Sequence, residues 1–411
     1  MIIKEFKKKC NVVSIPISKI RKIESILKKK GGQIYIVGGA VRSLVLQDRK
    51  CFHPDLVCNL PIEEIIKTLK KEMKISFVGS GIEYGSIVIS DDLHKFDLTS
   101  LRKDIKSFGR HAEIQFTNNI QEDSLRRDFS INAIYCDTKG KLIDPQKGID
   151  ELISTPPKIR FIGSAEDRIK EDYLRILRFL RFSLSYSKKF NDKDFLICKK
   201  FTHKIKLLSF ERRLSEIKKI LILENIESKV ILKKIQKLIE ISLECKIDIN
   251  NFERMCFLER ENSDISFARR IKFLTRGKNL KKKTFLSKMN KDLKKRLITR
   301  TSILQFSRVH ICMKLLKFDS GIVLDELYFY YASNKIDLKS FLYLKSVITN
   351  FDVSKYPLNG KDLLDLGFVK SKELGNAQSN IKKWWIKNDC KPKKKECIEY
   401  ARKKLPPGIW G

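Results

Sequence analysis

Residues 34–58 read IYIVGGAVRSLVLQDRKCFHPDLVC, and this segment sets the architecture of the N-terminal part of the chain. An apolar β-type run ends at Gly38 and Gly39, and the residues that follow predict a helix. Two glycines at such a turn let the backbone approach a phosphate closely, and the start of the helix adds a positive dipole. Arg42, one turn into the helix, could reach the same anion. Many α/β proteins use a Gly-Gly turn for packing alone, so the turn gains meaning only beside other motifs.

Two further segments concentrate charge. The segment EDSLRRDFSINA, residues 122–133, places Arg127 among acidic residues just before an apolar strand, and RIKEDYLRILRFLRF, residues 168–182, predicts one continuous helix. On that helix, residues three positions apart share a face. The polar residues that recur at this spacing are Asp172, Arg175, Arg178 and Arg181. A solvated Asp–Arg pair would explain any single pair, but the whole row is typical of a ligand-binding face.

The order of the patterns along the chain predicts an α+β protein. Short β-type runs broken by Gly and Asp/Asn turns extend from about residue 33 to 145, whereas only helical patterns follow Pro157. The helical patterns in the N-terminal part cover residues 18–30 and 62–73. We therefore predict a mixed-sheet head at residues 1–150, a helical neck at 151–225, a basic helical body at 226–350 and a helical tail at 351–411.

Charge separates this chain from most proteins of its size. The 411 residues contain 86 Lys and Arg against 49 Asp and Glu, a net charge of +37. Such a chain attracts polyanions, most often nucleic acid, although a genome-wide bias toward lysine would raise the charge too. Residues 269–300 hold fourteen Lys and Arg and one acid, Asp292. We interpret this run as an RNA-contacting surface rather than a solvated face, and we predict phosphate contacts for Lys281, Lys282 and Lys283.

The ten cysteines and five histidines are scattered, and no two cysteines form a CxxC pair. The sequence therefore does not predict a zinc finger. Dispersed cysteines and a basic N-terminus without an apolar core favour a cytoplasmic protein with reduced thiols. No segment has the roughly 18 apolar residues that a membrane span needs. We expect no membrane association and no stable protein partner.

Taken in order, these motifs resemble one family. The series VGGAVR, PDL, DLTSLR, EDSLRRDFSINAIY, LIDPQKGIDEL, EDYLRILRFLRF and FERRLSEI, over roughly residues 33–220, is similar to the class II tRNA nucleotidyltransferases, which are CCA-adding enzymes, and to the related bacterial poly(A) polymerases. PLNGKDLLDLG at residues 357–367 and the pair Trp384-Trp385 resemble the tail domain of CCA-adding enzymes. The resemblance implies a polymerase-beta-like nucleotidyltransferase head with one nucleotide pocket, followed by an all-helical neck, body and tail.

The resemblance also implies roles for single residues. It implies a triphosphate cradle formed by Gly38, Gly39 and Arg42, and nucleotide binding by Arg127. Asp172 and Arg175 would hydrogen-bond the base edge of CTP or ATP, so that protein replaces template, and Arg178 and Arg181 would support them. Residues 102–111 would form a flexible loop that takes part in the switch from C to A addition.

One element of the family pattern is incomplete. Mg²⁺ is held in this family by an Asp-x-Asp motif, because alternate residues of a strand point to the same side. Here the motif reads Asp55-Leu56-Val57, and valine offers Mg²⁺ no oxygen. Ser43 likewise replaces an expected aspartate in the helix after the Gly-Gly turn. The site could be rebuilt from Asp55 and Asp97 of a neighbouring strand, or could be slow, or could be inactive.

These readings leave three functions open. The first is addition of C, C and A to tRNA 3′ ends from CTP and ATP with Mg²⁺. The second is poly(A) tailing of RNA on the same scaffold. The third is an inert or impaired RNA-binding homologue, which the valine at position 57 keeps open.

Overall fold

The computed structural model describes residues 1–48, 51, 53–72, 76–78, 82, 85–90, 94–108, 111–276, 287, 289–299, 301, 303, 305–368 and 372–403. The chain divides into two compact units. The first comprises Met1–Ile226 and Lys237–Glu244, and the second comprises Glu227–Gln236 and Cys245–Gly411. The finer division into head, neck, body and tail remains a prediction.

The first unit is built on a seven-stranded mixed sheet in the order β3-β4-β5-β2-β1-β8-β9. Strands β2 and β5 pair in parallel, and the other neighbours are antiparallel. The strands of this sheet are β1 Ile34–Val37, β2 Asp55–Cys58, β3 Ser76–Val78, β4 Ser86–Ser90, β5 Lys95–Ser100, β8 Tyr135–Asp137 and β9 Leu142–Ile143. A separate ribbon pairs β6 Arg102–Phe108 with β7 His111–Phe116.

Helices cover this sheet and continue after it. The α-helices that begin in this part of the chain are α1 Phe6–Val12, α2 Ile17–Lys28, α3 Gly39–Leu46, α4 Ile62–Glu72, α5 Ile120–Leu125, α6 Gly148–Ile153, α7 Ala165–Glu171, α8 Leu174–Phe182, α9 Asp192–Lys200, α10 Phe210–Leu221 and α11 Lys229–Leu243. Short 3-10 turns cover Ser130–Asn132, Thr202–Leu207 and Glu224–Glu227, and a π-helical turn covers Ser183–Ser187.

Strand β5 shows how the pattern of the sequence builds the sheet. Phe96, Leu98 and Ser100 are buried, whereas Lys95, Asp97 and Thr99 face the other side. Side chains alternate along a strand, so this one strand supplies both a core face and a polar face. In α2, the buried residues Ile20, Ile23 and Leu27 lie at helical spacing against the core. The predicted α+β class, with a mixed sheet followed by helices, is confirmed.

Two predictions about local structure are wrong. Residues 168–182 do not form one helix, because α7 ends at Glu171 and α8 begins at Leu174, with Asp172 extended between them (φ −152°, ψ 109°). The Asp172 carboxylate accepts a hydrogen bond from the backbone N–H of Leu174, as a residue ahead of a helix does. Residues 102–111 are not a loop either, since most of them belong to the paired strands β6 and β7.

The second unit is helical throughout its described residues. Its remaining α-helices are α12 Phe252–Glu261, α13 Phe267–Thr275, α14 Lys291–Ile298, α15 Arg308–Leu315, α16 Ser320–Ala332, α17 Leu338–Asn350, α18 Gly360–Leu364, α19 Lys372–Lys387 and α20 Lys394–Arg402. Trp385 is fully buried and packs with Ile381, Cys397 and Ala401 in a C-terminal core. Among the described residues, no helix is both long enough and apolar enough to cross a membrane.

Much of the basic run at residues 269–300 that is described forms a buried ion network. Arg269 donates to Glu259 at 2.9 Å and to Asp325 at 3.2 Å, and Arg270 donates to Glu259 at 2.6 Å. The other basic residues of the run that pair with Asp325 or Glu326 are Lys272, Arg276 and Arg296. The prediction of an RNA-contacting surface is therefore wrong for these five residues. Lys281, Lys282 and Lys283 lie outside the described residues.

Candidate active site

The Gly-Gly turn joins β1 to α3 and lies beside Asp55. Gly38 has φ 67° and ψ −125°, in the region that side chains disfavour, so the glycine is required by the backbone itself. A Cβ atom at Gly38 would lie 3.6 Å from Oδ2 of Asp55. The turn therefore places the first backbone N–H groups of α3, and the positive end of its dipole, next to a carboxylate.

Asp55 and Asp97 lie opposite each other on the parallel strands β2 and β5. Asp55 is the first residue of its strand and reaches solvent, while Asp97 is half-buried. Burial by surrounding protein atoms, and then the charge of Asp97, raise the pKa of Asp55. Two carboxylates thus lie next to each other on neighbouring strands and repel each other. A bound cation would relieve this repulsion.

Val57 follows Asp55 by two residues, and its side chain lies on the same side of the sheet. It is only 2% exposed and packs with Val37, Leu101 and Tyr135. Position 57 is therefore part of an apolar cluster, and its replacement of a metal ligand remains a prediction. Among the described residues, no group of three or more His, Cys, Asp or Glu side chains is placed to hold a metal ion.

Arg127 is held by a buried acid. Its Nη2 donates to Oδ2 of Asp123 at 2.9 Å, and its Nε donates to the Tyr135 hydroxyl at 2.9 Å. Asp123 is fully buried and also accepts from Arg126. Although burial opposes the charge of Asp123, the two arginines and the Tyr135 hydroxyl lower its pKa to about 2. This network fixes the orientation of Arg127 beside the sheet.

A second network connects the helix after the Gly-Gly turn to α8. Arg42 is 7% exposed, donates to Asn132 Oδ1, and donates from Nε to the Tyr186 hydroxyl at 2.9 Å. Asn132 in turn donates to Oδ1 of Asp128 at 2.7 Å, and Arg178 of α8 donates to Oδ2 of Asp128 at 2.5 Å.

Burial opposes the charge of Asp128 too, but Arg178 and Asn132 hold the pKa of Asp128 well below its usual range. Arg42 thus donates hydrogen bonds to groups of the protein itself. Its Nη2 atom lies beside Gly39, because a Cβ atom added at Gly39 would be 3.7 Å from it.

Asp172 pairs with Arg212, which is not among the predicted site residues. Nη2 of Arg212, the third residue of α10, donates to Oδ2 of Asp172 at 2.7 Å. The two residues line an open cavity of about 440 Å³ together with Lys170, Tyr173 and Ser209. The motif FERRLSEI contains Arg212, but nothing in its spacing indicates that it meets Asp172, which is forty positions earlier.

The remaining arginines of the predicted row each contact an acid. Arg175 donates to Glu171 and, at 2.9 Å, to the backbone oxygen of Arg168. Arg181 donates to Glu216 at 2.7 Å and lies over the Phe182 ring at 4.1 Å. The four residues of the row therefore have four separate partners, and only Asp172 lies outside α8, which still contains Arg175, Arg178 and Arg181.

The head carries a recognisable family pattern. Residues 34–155 match the model described as poly A polymerase head domain. This head, in which Asp55 and Asp97 lie beside a glycine turn, is thus similar to the head domain of a nucleotidyltransferase.

Whole-chain similarities are more specific. The human protein named CCA tRNA nucleotidyltransferase 1, mitochondrial, is 26% identical over 93% of this chain and 90% of its own length. The chain is thus similar to a CCA-adding enzyme over nearly all of its length.

Solved structures share the fold at low sequence identity. The Bacillus stearothermophilus CCA-adding enzyme in complex with CTP superposes with a TM-score of 0.70 and 20% identity, covering 95% of this chain and 97% of that chain. The Thermotoga maritima CCA-adding enzyme complexed with tRNA superposes with a TM-score of 0.59 and 17% identity, covering 99% and 100% of the two chains. The predicted architecture of a nucleotidyltransferase head followed by helices is therefore confirmed.

Proposed function

We propose that this chain is a tRNA nucleotidyltransferase that adds C, C and A to tRNA 3′ ends from CTP and ATP, without a nucleic-acid template. One observation carries the proposal: the similarity to an enzyme named for CCA addition spans 93% of the chain, well beyond the catalytic head. Named complexes of similar proteins with CTP and with tRNA support the substrates.

We propose that Asp55 and Asp97 hold a divalent metal ion, Mg²⁺, which nucleotidyltransferases of this kind use. The donor set fits, because carboxylate oxygens are the ligands that Mg²⁺ prefers and because the repulsion between these two carboxylates favours a cation. When bound, the ion would polarise the RNA 3′-hydroxyl and steady the leaving pyrophosphate. Water or nucleotide oxygens would complete the ligand set, since Val57 supplies none.

The chain's own residues would bind and orient the nucleotide. The backbone N–H groups at Gly38 and Gly39 are proposed to receive phosphate oxygens at the start of α3. Asp172 and Arg175 are proposed to read the base edge. Asp172 would do so while Arg212 keeps it oriented, and Arg175 would exchange Glu171 for the base.

Four arginines retain proposed roles next to the nucleotide. The networks of Asp123 and Asp128 would hold Arg127 and Arg178 in place, and Glu216 would hold Arg181. For Arg42, the contacts with Asn132 and Tyr186 favour a positioning role over direct phosphate binding.

Two other functions have a specific observation in their favour. The head-domain model is named for poly(A) polymerases, which keeps poly(A) tailing as a second candidate. The buried valine at position 57 keeps an impaired or inert RNA-binding homologue as a third.

One assay separates the three functions. Purified protein is incubated with tRNA lacking its 3′ CCA, labelled CTP or ATP, and Mg²⁺. Two C residues followed by one A indicate CCA addition, and long A tails indicate poly(A) synthesis. Tight tRNA binding without incorporation of either nucleotide indicates the inert homologue. An Asp55→Asn variant is the control, and the proposal expects it to incorporate nothing.

We further propose a cytoplasmic location. No disulfide joins the cysteines among the described residues, and burial raises the pKa of the Cys58 thiol to about 11, which keeps that thiol protonated near neutral pH. Fractionation of cells followed by immunoblotting tests this, and recovery in a membrane or organelle fraction would contradict it.

A further inference from the structure

A cavity of about 530 Å³ in the second unit is lined by four lysines from two helical segments. Lys314 lies in α15 and Lys317 directly follows that helix, while Lys383 and Lys387 lie in the last two turns of α19. The helices α15 and α19 pack against each other, so the grouping is part of the fold and not an accident of long side chains.

No acidic side chain of the described residues balances the positive charge of this cavity. None of the described residues that line it is an aspartate or a glutamate. Within the described part of the chain, the four ammonium groups form no ion pair. Elsewhere in the same unit, Lys295 pairs with Asp319, and Lys272 pairs with Glu326. Like charges gathered around one cavity repel each other, and an anion relieves that repulsion.

Lys382 gives an independent sign of the same crowding. It is half-buried beside the cavity-lining Lys383, and its ammonium group lies over the Tyr356 ring at 5.4 Å. Burial first, and then the charge of Lys317, lower its pKa. Lys317 therefore acts electrostatically on α19, as expected if the lysines of the two helical segments face a shared space.

We propose that the cavity lined by Lys314, Lys317, Lys383 and Lys387 is a phosphate-binding site that holds the backbone of the RNA substrate. The identity of the RNA rests on the proposed function, but the phosphate chemistry does not. Lysine ammonium groups are compact point charges suited to phosphate oxygens, and Ser307 at the rim offers a hydroxyl. Free inorganic phosphate shares this chemistry, so the experiment has to distinguish the two sources.

The test compares two variants of the full chain that lose the same charge. The cavity variant is K314Q/K317Q/K383Q/K387Q. The control variant is K339Q/K361Q/K391Q/K395Q, whose four lysines are exposed in the same unit and do not line the cavity. Binding of tRNA is measured by filter retention at several salt concentrations, without nucleotide or Mg²⁺.

The cavity variant is expected to reduce the slope of log K against log salt by about two units, and the control variant by less than one. Equal changes in the two variants would show that only the overall field matters and would overturn the site, as would no change in the cavity variant. If the cavity variant does not fold, K383Q/K387Q takes its place, because both side chains are exposed.

A melting series with inorganic phosphate separates the two sources of the anion. If phosphate raises the Tm of the wild type more than that of the cavity variant while the tRNA slopes stay equal, the cavity binds free phosphate and the RNA assignment fails. CTP incorporation is scored separately. A chain that incorporates no CTP but shows the cavity-specific slope would contradict the proposed function and support this site.

Discussion

Single residues decide what the catalytic head can do, and position 57 is the clearest case. Its side chain lies on the same side of β2 as Asp55, where the family pattern has a second carboxylate. In this chain the position is buried against Val37, Leu101 and Tyr135. The sequence predicted a missing ligand at this position, and the structure shows that Val57 lies in an apolar cluster.

In the absence of metal, we expect Val57→Asp to lower the free energy of unfolding by roughly 2–4 kcal/mol, and the Tm with it. The reason is that a carboxylate would replace a buried apolar side chain. Mg²⁺ should restore part of that loss and raise CTP incorporation together. Melting with and without Mg²⁺, beside CTP incorporation, checks both expectations. Val57→Asn, which is polar but uncharged, serves as the control. A loss of stability that Mg²⁺ leaves unchanged, with no gain in incorporation, would show that position 57 is purely structural.

The pair formed by Asp172 and Arg212 gives a second prediction at this scale. Asp172→Ala should reduce discrimination of CTP and ATP against UTP and GTP by about 1–3 kcal/mol. Arg212→Ala should have a smaller effect in the same direction, since Asp172 would lose the group that orients it at 2.7 Å. Arg212→Lys should retain part of the discrimination.

The measurement for this pair is the ratio of kcat/KM values for the four nucleotides. Lys170→Gln, at the rim of the same cavity, is the matched control and should leave the ratios unchanged. If the Asp172 and Arg212 variants weaken all four nucleotides equally, the base-reading role is removed from Asp172.

At the scale of elements, buried charge pairs join the helices to the sheet. Asp123 near the end of α5 receives hydrogen bonds from Arg127 and from Tyr135 at the start of β8. Asp128, three residues after the end of α5, accepts a hydrogen bond from Arg178 of α8. Arg178, which the spacing of the arginines placed on a polar helix face, is thus paired with an acid inside the protein.

The pKa of Asp123 makes one of these contacts measurable. Its folded value of about 2 lies below the unfolded value, so the contact stabilises the fold at every pH above about 4 and is lost as the pH falls toward 2. The contribution is about 2 kcal/mol. Urea unfolding at pH 5, 3.5 and 2.5 should show this loss for the wild type. Asp123→Asn should be less stable at pH 5 and lose less on acidification. Parallel pH profiles for the two proteins would show that Asp123 is not the group responsible.

At the scale of the whole molecule, the net charge of +37 has two different uses. Some of the basic residues are balanced inside the second unit, as Arg270 is by the fully buried Glu259. Others, such as the lysines around the α15–α19 cavity, have no such balance among the described residues. The first kind contributes to folding, and only the second kind is available to a polyanion.

This difference predicts opposite results for two sets of substitutions. Neutralising Lys281, Lys282 and Lys283 should reduce the salt slope of tRNA binding by up to about three units if each meets a phosphate. Arg270→Met should instead lower the free energy of unfolding by about 3 kcal/mol, because Oε2 of the buried Glu259 loses its donor and Arg269 alone still pairs with that carboxylate. Filter binding and urea unfolding on both variants check the two effects. An unchanged slope for the triple-lysine variant would mean that this run does not contact RNA.

The local features of the chain could be predicted from the sequence. Alternating residues predicted β5 with the bounds that it has, and the Gly-Gly turn predicted the junction of β1 and α3. The sequence also shows that position 57 has no side-chain oxygen, whereas the prediction that a metal ligand is missing there stays a prediction. Such features depend only on residues within a few positions along the chain, so they can be predicted from the sequence alone.

Partners distant in sequence could not be predicted in this way. Asp172 meets Arg212 forty positions away, and Arg42 meets Asn132 and Tyr186. Arg269 likewise meets Asp325, and Arg276 meets Glu326. The pairing of a charged side chain depends on which elements the fold brings into contact, and burial then makes the pairing obligatory because an unpaired charge inside a protein is costly. The sequence therefore identified the charged groups of this protein, and tertiary packing determined whether each one holds the fold together or remains available to bind nucleotide and RNA.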